Sequence, residues 1–102
     1  MEYTVIYTEY VIDFIVEQVT SKRVYEKIDG YREVLASFPD IGKPYDPMYR
    51  AARPPFPCRS IPVPDTPFTL YYLKDDDCRE VVVFFIEHQA LNPEYRFAHI
   101  VL

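Results

Sequence analysis

The chain has 102 residues, 49% of them hydrophobic, which predicts one folded domain over 1–102 and excludes a disordered chain. Its formal charge of −5 argues against a general nucleic-acid binder. No charged leader followed by an apolar core, and no apolar run near the roughly twenty residues of a membrane span, is present, so the expectation is a cytoplasmic protein with no membrane partner.

Tyr3 to Thr8 is rich in β-branched and aromatic residues and reads as a first strand. The apolar period then changes from two to about 3.6: Val11, Ile15 and Val19 recur at i, i+4 and i+8, which predicts a helix over 9–19. Thr20 and Ser21 end that helix and supply a cap for the next. From Lys22 the stripe Val24, Ile28, Tyr31, Leu35 and Phe38 predicts a second amphipathic helix, stopped by Pro39. Gly30 inside it marks either a close helix–helix approach or a tolerated glycine. The two helices, joined by two residues, form a helical hairpin.

Pro39 to Pro44 carries turn chemistry, and the stretch from Lys43 to Pro57 reads as polar, proline-rich and irregular. Cys58 to Val63 is a second strand, an edge strand because Pro62 has no N–H for a ladder. Phe68, Leu70 and Tyr72 alternate with Thr69, Tyr71 and Leu73 in a third strand. The acidic turn Lys74 to Asp77 leads into Val81–Ile86, six consecutive β-branched or aromatic residues. A strand apolar at every position must be covered on both faces, so it belongs inside the sheet. Glu87, His88 and Gln89 then put polar groups at the sheet's rim. Periodicity leaves the tail from Pro93 undecided between helix and strand. The order β-α-α-β-β-β predicts an α+β fold: an N-terminal strand, a helical hairpin and a three-stranded antiparallel meander.

Charge is unevenly distributed. Residues 20–60 hold eight of the eleven basic groups and five of the sixteen acids, so a basic segment lies on an acidic chain. Lys43, Arg50, Arg53 and Arg59 are the candidates within it for contacting an acidic target. Cys58 and Cys78 have no CxxC spacing and read as reduced thiols. With His88 and His99 they show no metal-ligand spacing, and two glycines nearly exclude a phosphate-binding loop, so neither metal nor cofactor is expected.

Several of these segments together resemble the RelE/ParE superfamily of toxins. Leu35 to Pro44 is similar to the helix ending of ParE-type members, with leucine, proline, glycine, a basic residue and proline in order. Arg59-Ser60-Ile61-Pro62-Val63 resembles a family strand, and Leu70-Tyr71-Tyr72, the acidic turn and Val81 to Gln89 resemble its closing hairpin. The resemblance implies the toxic half of a type II toxin–antitoxin pair of plasmid-stabilisation type, closer in motif to ParE and neutralised by a cognate antitoxin. The target it implies is DNA gyrase for ParE-like members, or the ribosome and its mRNA for RelE-like endoribonucleases. The cleaving reaction is metal-independent; it needs a base, a cation for the transition state and an acid. His88, Arg59 and Tyr95 fall near positions able to supply them. Two positions depart: Thr69 and Leu73 stand where arginines are expected. A homologue that binds antitoxin without being toxic is the remaining alternative.

Overall fold

The computed structural model describes residues 2–45 and 56–88. The elements run β1 (Thr4–Tyr7), α1 (Glu9–Gln18), α2 (Lys22–Ser37), β2 (Lys43–Tyr45), β3 (Cys58–Pro62), β4 (Phe68–Asp75) and β5 (Glu80–His88). The five strands form one sheet in the order β1-β5-β4-β3-β2. β3, β4 and β5 are the predicted antiparallel meander. β1 lies parallel to β5 on its other side, with Val5 opposite Val81 and Tyr7 opposite Val83. The α+β architecture is therefore the expected one, and the uniformly apolar strand is interior to the sheet.

The helices bury Val11, Ile15, Val24, Ile28 and Leu35 on one face of the sheet, against Tyr7, Ile61, Leu70, Tyr72, Val81, Val83 and Ile86. Each such aliphatic side chain contributes roughly 1.5–3 kcal/mol through its burial. The opposite face carries a second cluster: Cys58, Tyr71, Phe84 and Phe85, with Tyr45, Phe56 and Leu73 packed on it. Phe84 and Phe85 are sequence neighbours on one face because of an irregularity in the ladder. Tyr71 pairs with Phe85 and Tyr72 with Val83, so Phe84 is a bulged extra residue. The bulge inverts the alternation of β5. Val81 and Val83 face the helices before it; Ile86 and His88 do so after it.

Two expectations change. The start of the stretch read as irregular is a short strand: β2 pairs with Cys58–Ser60 and takes the edge from β3 over that length. Its register stops at Ser60, so among the described residues Pro62 pairs with Thr69 only and the side of its backbone that lacks an N–H has no strand beside it. Gly30 is no close approach, because a Cβ there would meet nothing within 4 Å. The tight glycine is Gly42, where a Cβ would lie 2.7 Å from Tyr72 Oη and 2.9 Å from the Ser60 carbonyl oxygen. Helix periodicity cannot distinguish the two, since the constraint on Gly42 comes from strands later in the chain.

Candidate functional site

The basic segment meets the sheet where α2 gives way to β2. Arg59, on β3, donates from Nη1 to the Gly42 carbonyl at 2.8 Å and to the Asp40 carbonyl at 3.4 Å. Its Nε lies 3.7 Å from Asp40 Oδ1. Tyr72 ties down the same loop: its hydroxyl accepts from the Gly42 N–H at 2.8 Å and donates to the Pro39 carbonyl at 2.9 Å. Burial pushes the Tyr72 phenol above its ordinary range, so it stays a donor at any physiological pH. Lys74 completes the cluster, 2.8 Å from Asp40 Oδ1 and 3.3 Å from Asp76 Oδ1. The hydrogen bond to Asp40 is the main cause that holds its ammonium above the usual lysine range. Lys43 is exposed on β2, one register step from Arg59 and opposite Ser60.

His88 stands elsewhere. It is exposed at the end of β5, opposite Phe68, with its ring edge-on to that of Phe68 at 5.6 Å. Arg59 is opposite Tyr72, four β4 residues from Phe68. That is about 13 Å along the strands and about 10 Å across two strand spacings. Lys43 and Arg59 thus lie on paired strands one register step apart, which turns their side chains to opposite faces of the sheet, and Arg59 is not brought to His88. Arg50, Arg53 and Tyr95 lie outside the described residues.

The face of the sheet away from the helices presents different chemistry. Thr69 pairs with Glu87 and Tyr71 with Phe85. Glu87, expected at an exposed rim, is only 4% exposed and accepts from Tyr71 Oη at 2.5 Å. A buried carboxylate is held by charge-assisted hydrogen bonds of this kind. Aromatic rings surround the pair: Tyr45 is edge-on to Tyr71 at 4.9 Å, and Tyr10 of α1 stacks on Phe85 at 5.6 Å. Leu73 packs into the same cluster. Both positions where arginines were expected, Thr69 and Leu73, therefore turn toward this face, and Glu87 stands opposite Thr69. Sequence alternation alone would put His88 there instead of Glu87. The bulge at Phe84 reverses the two, and no residue type in Val81–Ile86 announces it. Among the described residues no group of three or more His, Cys, Asp or Glu side chains is arranged to hold a metal ion. No helix among them is long and apolar enough to cross a membrane.

No family model matches the chain, and no curated protein matches it. Among solved structures it is similar to the E. coli toxin RelE, in a mutant with two arginines replaced by alanine, in the free state. The TM-score is 0.66, and the alignment covers 100% of both chains at 16% sequence identity. The fold is that of RelE. The RelE-like path of the chain is thus kept with five residues in six changed, and the likeness extends to the whole sheet and both helices rather than to one motif.

Proposed function

We propose that this chain is the toxin of a toxin–antitoxin pair and acts by binding a macromolecular target rather than by cutting RNA. The RelE fold over its full length supports the toxin reading. The separation of Arg59 from His88 supports the binding mechanism. General acid–base cleavage of a phosphodiester needs its proton-transfer groups and its cation within hydrogen-bond reach of one phosphate, about 3 Å from each. Arg59 is committed instead to the Gly42 carbonyl and to Asp40.

In this reading the exposed Lys43, with Arg50 and Arg53 of the same basic segment, makes the contact with an acidic target surface, and Arg59 holds the loop before β2. DNA gyrase is the target that the ParE-like motifs suggest, and a cognate antitoxin covers exposed apolar surface to neutralise the chain. The test is inducible expression in a bacterial host, with growth, RNA ends and gyrase-linked DNA breaks followed together. The expected result is growth arrest with intact mRNA and gyrase-dependent breaks, unchanged by His88→Ala and weakened by Lys43→Glu. Cut mRNA that disappears with His88→Ala would establish the endoribonuclease instead. Unimpaired growth would identify a non-toxic homologue.

A further inference from the structure

β2 carries Lys43, and its own ladder is too slight to hold it in place. It is three residues long, and Pro44 at its centre has no N–H to give. It lies at the edge of the sheet, against β3. Its position is fixed by what grips the residue before it.

Gly42 is held at both of its backbone groups. Its N–H donates to Tyr72 Oη at 2.8 Å, and its carbonyl accepts from Arg59 Nη1 at 2.8 Å. The same Tyr72 hydroxyl donates to the Pro39 carbonyl at 2.9 Å, so one phenol oxygen closes the turn from both ends. Tyr72 is fully buried in the core beneath the helices and cannot swing away without opening it. The Arg59 side chain is 32% exposed and is shared with Asp40. The rigid half of the grip is therefore Tyr72.

The grip and the cation it controls lie on opposite faces. Lys43 is opposite Ser60, and Ser60 is opposite Tyr71, so the Lys43 side chain belongs to the face away from the helices. Tyr45, two residues on, meets Tyr71 edge-on at 4.9 Å on that face. β2 is thus pinned at Gly42 from one face and at Tyr45 from the other, with Lys43 between the two pins.

We propose that Tyr72 is a positioning residue for Lys43: its hydroxyl, acting through Gly42, sets where β2 presents that cation to the target. This rests on the toxin reading, in which Lys43 touches the target. Tyr72→Phe removes the hydroxyl and keeps the ring in the core. Tyr7→Phe is the control, because its hydroxyl also donates to a buried backbone carbonyl, that of Ile28 at 2.7 Å. Tyr7 belongs to β1, at the opposite edge of the sheet from β2. A general loss of stability would appear in both variants. Arg59→Ala is a third variant; it frees the Gly42 carbonyl without touching the core and should loosen β2 to a smaller degree.

Two measurements are made on the full chain: amide hydrogen exchange, and the cellular amount of chain needed for growth arrest in a bacterial host. With Tyr72→Phe, the Gly42, Lys43 and Tyr45 amides should exchange about tenfold faster relative to Val83 and Ile86; with Tyr7→Phe that ratio should hold. The amount needed for arrest should rise about fivefold with Tyr72→Phe or with Lys43→Glu, and stay level with Tyr7→Phe. Adding Tyr72→Phe to Lys43→Glu should raise it no further, because both act through one contact. Equal acceleration of every amide, unchanged exchange in β2, or a full additional loss on top of Lys43→Glu would make Tyr72 a purely structural residue and overturn the proposal. Arrest that is absent, or indifferent to Lys43→Glu, would overturn it through the contact, and β2 exchange would show separately whether the grip stands.

Discussion

Two glycines of this chain look alike in sequence and differ in their surroundings. Gly42 is wedged against Tyr72 Oη and the Ser60 carbonyl, and Gly30 faces open space. Neither has a positive φ, so the backbone itself allows a side chain at both. Gly42→Ala forces the α2–β2 loop off Tyr72 and should cost about 1–3 kcal/mol, as overpacking does. Gly30→Ala removes the glycine penalty within α2 and should add up to about 1 kcal/mol. Urea unfolding of the two variants beside the parent chain checks both signs. The cysteines differ in the same way. Burial pushes the Cys58 thiol up to about 11, and the Asp75 carboxylate beside exposed Cys78 raises that thiol too. The thiolate is the nucleophile, so iodoacetamide at mildly alkaline pH should label Cys78 well before Cys58. Asp75→Asn keeps an oxygen for the turn N–H groups it accepts, removes the charge, and should speed labelling of Cys78. Intact-mass spectrometry over time reads both effects. Cys58 also carries a linkage sign. The folded chain keeps that proton from pH 9 up to about 11 where the unfolded chain loses it, so this contribution to stability declines as pH rises through that window.

At the scale of the element, the two helices begin differently. Ser21 accepts from the Val24 N–H at 3.4 Å and caps α2, whereas Thr8 before α1 makes no side-chain cap. The Thr8 hydroxyl is buried without a hydrogen-bond partner, which leaves a desolvation cost with no return. Thr8→Val keeps the shape and removes the hydroxyl; it should raise stability by about 1 kcal/mol, measured by thermal melting. Both helices and four of the strands were legible from period alone, because Val11–Ile15 and Val24–Ile28–Leu35 repeat like a helix and Phe68–Leu70–Tyr72 alternate like a strand. What escaped was decided by distant partners. β2 exists because Lys43–Tyr45 finds Cys58–Ser60, although its own sequence, centred on Pro44, says loop. The candidate site was legible in part. Arg59 and Lys43 fall on paired strands but on opposite faces of the sheet, and the buried Tyr71–Glu87 pair was missed because a bulge, invisible in a run of six apolar residues, exchanges the faces of Glu87 and His88.

For the whole molecule, stability is unevenly distributed. β4 and β5 share the longest ladder, and both core clusters close on them. β2 is short, carries Pro44 and hangs at the sheet's edge. Hydrogen exchange should therefore be slowest for amides of Leu70, Tyr72, Val83 and Ile86, near the global unfolding free energy, and fastest among the strands for Lys43 and Tyr45. A uniform exchange rate across the sheet would contradict this ranking. Lys43, on β2, thus sits at the loosely held edge of a rigid scaffold, a place suited to adjusting against a partner.

The parallel pairing of Thr4–Tyr7 with Glu80–Val83 has a consequence during synthesis. The first strand made must wait for the last strand described here before its ladder can form. Such long-range closure is slow and leaves partly made chains without their completed sheet. A ribosome translating this message therefore carries a chain whose sheet stays open beside Thr4–Tyr7 until Glu80–Val83 has emerged from the exit tunnel.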